Sequence, residues 1–181
     1  MTRAAESIER FTEFFRQHRV SRILDYGAGT LRNATFLADR GFQVYAADLP
    51  EQVERILQLE ASRRLAGVLA DDNLEGAGLA VDLVISTYVL NIIPDGSEKS
   101  RYLRNVVLNL RPNGYLLIEA RCRREDVRCG RGCANHLKCA ACVKTYSHDE
   151  LDRLLSPHGF RRERYYYRKH ALAVLYRLAN A

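Results

Sequence analysis

Short apolar runs alternate with helical periods along most of this chain. Arg22 to Tyr26, Val44 to Ala47, Gly67 to Ala70, Val81 to Ser86 and Tyr115 to Ala120 read as strands. The fourth is almost wholly apolar, as expected of a strand buried on both faces of a parallel sheet. An N-terminal helix carries Ile8, Phe11, Phe14 and Phe15 on one face. Further helical stretches start near Leu31, run from Pro50 to about Leu65 with Val53, Ile56, Leu57 and Leu59 apolar, and run to about Leu110 from an N-cap at Asp95 or Ser97. Arg111-Pro112-Asn113-Gly114 is a turn. Ser147, with Glu150 three residues on, forms a capping box for a helix from His148 to about Ser156, which Gly159 ends. Two last runs, Phe160 to Tyr167 and Ala171 to Leu178, lie close together and read as adjacent strands.

Five strands alternating with helices imply right-handed crossovers and a parallel sheet. The last two strands are joined too tightly to be parallel, so they form an antiparallel hairpin. At 181 residues the chain has room for one α/β domain, 1–181, and not for a second of any size.

The junction of the first strand with the helix after it carries the chemistry. Asp25-Tyr26-Gly27-Ala28-Gly29 breaks the strand, and the second strand ends in Asp48. Strand, glycine loop, helix, strand and acid is the layout of a nucleotide-type cofactor site. A dinucleotide loop needs a small residue where this chain has Arg32, which disfavours a pyrophosphate. An acid ahead of the two glycines suits a ligand bearing an amine and a sulfonium instead.

This acid-x-Gly-x-Gly loop resembles motif I of the class I S-adenosylmethionine-dependent methyltransferases. The resemblance covers about Arg22 to Leu178, apart from a cysteine-rich segment at 121–144. It implies a Rossmann-like, doubly wound sheet of seven strands, in which the last strand is inserted antiparallel. It places Asp25, Gly27 and Gly29 at the methionine part of the cofactor and Asp48 at the ribose diol. It places Leu49 on adenine, Asp71 or Asp72 at the adenine amine, and Ser86, with Thr87 and Tyr88, along the cofactor and acceptor pocket. Because the sulfonium is already an activated methyl donor, no catalytic triad is required. Tyr88, Asn91 and Glu119 are candidates to position the acceptor.

All five cysteines fall within that segment: Cys122, Cys129, Cys133, Cys139 and Cys142. The last four, spaced C-x3-C-x5-C-x2-C, suit one tetrahedral zinc that would order a glycine-rich, basic insertion after strand five. His136 could replace one of them, and Cys122, at a strand end, is expected to stand outside the set. No run approaches the ~20 apolar residues of a membrane helix, and the charged N-terminus lacks a signal-peptide core, so a cytoplasmic protein without membrane contact is expected.

The net charge of +6, much of it in the C-terminal half, favours acidic partners only mildly. The run Ser86-Thr87-Tyr88-Val89-Leu90-Asn91 lacks the prolines of DNA methyltransferases acting on exocyclic amines. The expected acceptor is therefore a small molecule. Two alternatives are a nucleic-acid acceptor, met by Arg128, Arg131 and Lys138, and a non-catalytic module that binds cofactor and zinc.

Overall fold

The structure is a computed structural model that describes residues 3–93, 96–122 and 145–179. Its seven strands are β1 (Arg22–Tyr26), β2 (Gln43–Asp48), β3 (Gly67–Ala70), β4 (Val81–Thr87), β5 (Leu110–Arg121), β6 (Phe160–Arg168) and β7 (Ala171–Leu178). They form one sheet in the order β3-β2-β1-β4-β5-β7-β6. Neighbours from β3 to β5 are parallel, and β7 is inserted antiparallel between β5 and β6. The expected sheet is therefore present, with the last strand in the expected place.

Alternate residues of each strand face two separate cores. Ile23, Val44, Leu83, Ile85 and Leu117 pack against α1 (Glu6–Gln17), α2 (Arg32–Ala38) and α3 (Pro50–Leu57). Leu24, Val84, Leu116 and Ile118 pack against α4 (Leu74–Ala77), α5 (Ser97–Asn109) and α6 (His148–Leu155). β4 is buried from Val81 to Ser86 because helices cover both its faces. Edge strand β6 is mostly exposed and carries Arg161, Arg162, Arg164 and Arg168, charges that deter pairing with another chain. No described helix is long and apolar enough to cross a membrane.

Four local expectations differ. The helix from Pro50 stops at Leu57, and a 3-10 turn occupies Glu60–Arg64. Ser62 is the cause: its hydroxyl and its N–H both donate to the Leu59 carbonyl, at 2.8 and 3.0 Å, a local bond that competes with helix continuation. Of that helix's apolar residues only Ile56 is fully buried, and Leu57 and Leu59 are exposed. The N-cap of α5 is Gly96, with no side-chain bond, rather than Ser97; Asp95 lies outside the described residues. Residues 111–114, read as a turn, belong to β5, which shifts its register against β4 between Leu110 and Tyr115, with Asn113 left-handed. The short helix α4 carries too few apolar positions to show a period.

The capping box on α6 is complete. Ser147 Oγ accepts from the Glu150 N–H at 3.2 Å, and the Glu150 carboxylate accepts from the Ser147 N–H at 2.8 Å. Replacing Ser147 by Ala should cost about 1 kcal/mol and lower the melting temperature by roughly 2–4 °C, read by calorimetry.

Candidate active site

The β1–α2 loop is built from left-handed residues held against the end of β2. Gly27 and Gly29 have φ of 83° and 53°, and Leu31, which opens α2, has 64°. At Gly27 the need for glycine is double, since a Cβ there would lie 2.2 Å from Val89 Cγ2. At Gly29 it is conformational alone, because nothing lies within 4 Å of such a Cβ. The Gly27 and Ala28 N–H groups donate to the Ala47 carbonyl at 2.8 and 3.1 Å. Asp48 completes the clasp: its carboxylate accepts from the Gly29 N–H at 2.7 Å and from the Leu49 N–H at 2.9 Å. Gln52 closes the turn by donating to the Gly29 carbonyl at 2.8 Å.

Asp25 lies beneath this loop, fully buried, and neither carboxylate oxygen has a hydrogen-bond partner among the described residues. Burial pushes its carboxyl up to about 7. The Ala34 N–H, outside good hydrogen-bond geometry, and the Arg32 guanidinium act against that rise, whereas the Asp48 carboxylate adds to it. An uncompensated buried acid under a glycine loop is complementary to a ligand that brings positive charge.

The other expected positions sit at the same end of the sheet with different partners. Leu49 is 56% exposed beside Asp48, available to an apolar ligand surface. Asp71 is buried and bonded by Arg101 at 2.8 Å. Burial raises its carboxyl above the usual range while Arg101 pulls it back. Asp72 is exposed. Ser86 faces α5, where its Oγ accepts from the Tyr102 hydroxyl at 2.6 Å, so its hydroxyl is already engaged within the core. The side chains brought together are thus those of Asp25 and Asp48, with both glycines, while Asp71 and Ser86 are engaged elsewhere.

A second polar group, not foreseen as a unit, lies on the same face as Asp25. Glu119 accepts from the Tyr88 hydroxyl through one oxygen and from the Ser7 N–H through the other at 3.3 Å. The Tyr88 N–H donates to the Glu119 carbonyl at 2.6 Å, and Tyr88 itself is left-handed. Burial, then the Glu119 bond and charge, raise the Tyr88 hydroxyl above its ordinary value, so it stays a neutral donor. Asn33 bridges α1 to β4, accepting from the Ala5 N–H at 2.9 Å and donating to Thr87 Oγ1 at 3.0 Å. Ala5 provides no side-chain cap for α1, so Glu119 does part of that work from across the fold. No periodicity announces these residues, because the bonds join segments 28 to 112 positions apart. Asn91, by contrast, is a packing residue that accepts from the Arg121 N–H at 3.0 Å.

Tyr88 and Glu119 line a cavity of about 330 Å³ with Arg32, Tyr166, Arg168 and the N-terminal segment from Arg3 to Glu6. It lies at the carboxyl ends of β4, β5 and β6, where open α/β sheets bind ligands. A larger hollow of about 770 Å³ adjoins it, shares Arg3, Ala4 and Arg32 with it, and is otherwise lined mainly by residues of α1, α2 and the 3-10 turn; neither loop glycine nor Asp25 or Asp48 lines either space. The described residues contain no cluster of three His, Cys, Asp or Glu able to hold a metal. Cys129, Cys133, Cys139 and Cys142, and His136, lie outside the described residues. Cys122 is buried in the core with its Sγ 3.8 Å from the Lys169 carbonyl.

A doubly wound sheet with one inserted antiparallel strand, a left-handed glycine loop and an acid ending β2 define a class I S-adenosylmethionine-dependent methyltransferase. The chain belongs to the family described as Methyltransferase domain, whose profile matches residues 2–164. No curated protein matches it. An S-adenosylmethionine-dependent methyltransferase from Methanosarcina mazei superposes with a TM-score of 0.75 at 14% identity, over 98% of this chain and 99% of that one. The 1,6-didemethyltoxoflavin-N1-methyltransferase of Burkholderia thailandensis, solved with 1,6-didemethyltoxoflavin and S-adenosylhomocysteine, does so at 0.70 and 19% identity, over 97% and 79%. Human N-acetylserotonin methyltransferase, solved with S-adenosylmethionine, gives 0.70 at 22% identity, over 97% of this chain and 52% of the human one.

Asp25 makes stability depend on pH in a fixed direction. Its carboxyl titrates near 7 when folded and near 3.8 otherwise, so folding takes up a proton between those values. The associated stability is complete below the lower value and lost as pH rises to about 7. Asp25→Asn removes the dependence. From about pH 5 to about pH 8 the stability of wild type relative to that variant should fall by about 3 kcal/mol in urea unfolding. A pH-independent difference would contradict the assignment.

Proposed function

We propose that this enzyme methylates a small molecule bound in the 330 Å³ cavity. The observation that carries this reading is the position of that cavity at the ends of β4 and β5, on the sheet face that holds Asp25 and Arg32. Its size falls in the range of small-ligand pockets, roughly 300–1,000 Å³. The Burkholderia neighbour's bound 1,6-didemethyltoxoflavin is consistent with an acceptor of this kind.

S-adenosylmethionine supplies a methyl group already activated on a sulfonium, so the protein's part is placement. Asp25 and the Gly27–Gly29 loop take the cationic methionine end, and Asp48 the ribose hydroxyls. Leu49 packs on adenine and Asp71 or Asp72 meets its amine. Ser86 contributes backbone rather than side chain. Asp48 can serve the ribose without releasing the loop, because a carboxylate has about four lone-pair sites and two are in use. A nucleic-acid acceptor is the weaker reading. Of the cations on β6, Arg162 pairs with Asp152 and Arg168 with Glu6, leaving less of the stripe that tracks phosphates.

Zinc held by Cys129, Cys133, Cys139 and Cys142 belongs to the same proposal. It rests on their spacing and on the lack of core-forming residues around them.

Asp48→Ala should weaken S-adenosylmethionine binding by about 1.5–3 kcal/mol in titration calorimetry. An unchanged affinity, or tight NAD binding by wild type, would remove the basis of the cofactor assignment. Protein purified without added metal should carry about one zinc per chain. Five freely reactive thiols in the native protein would rule the zinc out.

A further inference from the structure

Among the described residues, the cavity at the ends of β4, β5 and β6 holds one cation without a hydrogen-bond or ion-pair partner. Arg3 bonds Glu9 with distances of 2.6 to 3.1 Å, and Arg168 pairs with Glu6. Arg32, half-buried in the same wall, makes no hydrogen bond or ion pair with any described residue. Its place is fixed by the backbone, as the first residue of α2 directly after left-handed Leu31. Its charge is felt at both Asp25 and Tyr88. A half-buried guanidinium offers five donors in a planar fork, a shape matched by a carboxylate.

The rest of the wall narrows the ligand. Glu119 is the one anion of that wall without a cationic partner among the described residues, and it already accepts hydrogen bonds from Ser7 and Tyr88. Toward a ligand it would act as an acceptor and repel a second negative charge. Tyr166 adds a partly buried aromatic face, and Ala171 and Ala173 of β7 leave a floor of Cβ atoms. Ala173 lies opposite Glu119 in register, so this low floor opens beside the carboxylate.

We propose that the acceptor is a small monocarboxylate, gripped by Arg32 through its anion, with the N–H or O–H that receives the methyl group turned toward Glu119. This rests on the methyltransferase reading above. A phosphate monoester fits less well, since its second charge would meet Glu119.

The cofactor also carries a carboxylate, and the test separates the two. Wild-type protein is saturated with S-adenosylhomocysteine and titrated by NMR with 4-hydroxybenzoate and with uncharged 4-hydroxybenzamide. The benzoate should bind about tenfold more tightly or better. Arg32→Gln should erase that preference and Arg32→Lys should keep part of it, while S-adenosylhomocysteine affinity stays within about twofold in both. Equal binding of the two probes overturns the acceptor class. A loss of S-adenosylhomocysteine affinity of about tenfold in Arg32→Gln also overturns it, by placing Arg32 on the cofactor. Failure of wild type to bind S-adenosylhomocysteine at all would strike instead at the methyltransferase reading on which the proposal stands.

Discussion

Three residues out of five, Gly27, Gly29 and Leu31, must turn left-handed for the chain to pass from β1 into α2. Two of them are glycine, and the third is a fully buried leucine for which that conformation is costly by roughly 1–2 kcal/mol. What holds the bend is the end of β2: the Ala47 carbonyl takes two N–H groups and the Asp48 carboxylate a third. The site depends on this clasp. It lets Val89 approach Gly27, sets the start of α2 and so the place of Arg32, and roofs Asp25 away from water.

Two buried aspartates on one sheet show what is structural and what is not. Asp82, near the amino end of β4, accepts from the Ser21 and Arg22 N–H groups at 2.7 and 2.9 Å and pairs with Arg111 at 2.8 Å. Its bonds tie β4 to the entry of β1, and nothing is left for a ligand. Asp25, at the opposite end, is as deeply buried and has no such bonds. A fold that can satisfy one buried acid so fully gains no stability from leaving the other bare. The difference is intelligible as a cost retained for binding, and it falls at the carboxyl end, where a parallel sheet presents its ligands.

The sequence made the frame legible because the frame is local. β1, β3 and β7 end where their apolar runs end, and the capping box at Ser147 and Glu150 is formed as read. The glycine loop and Asp48 could be found because turn chemistry and a strand end are neighbours in sequence. What escaped was decided by single bonds or by distance. The helix read on to about Leu65 stops at Leu57, where Ser62, donating to the Leu59 carbonyl, favours a 3-10 turn instead. Ser86 was placed on the right strand end, but strand parity turns its side chain to the α5 face. The cavity wall draws on the N-terminal segment, α2, β5, β6 and β7, and no window of sequence contains them together.

The N-terminal helix joins these points. Its hydrophobic face, Ile8, Phe11 and Phe15, would bury itself against any apolar sheet surface and does not by itself choose a position. The choice is made by polar bonds that have direction. Asn33 takes the Ala5 N–H and Glu119 the Ser7 N–H, and each of the two also engages the end of β4, at Thr87 or Tyr88. The groups that would orient an acceptor are therefore the groups that seat the helix covering it. Loss of Glu119 would leave buried donors on Tyr88 and Ser7 unmatched and loosen the wall holding Arg3 to Glu6, so truncating it would disturb the seat of the helix together with the cavity. Arg32 is different in kind: with no hydrogen bond or ion pair to any described residue, its charge can be removed while the seat of the helix stays in place.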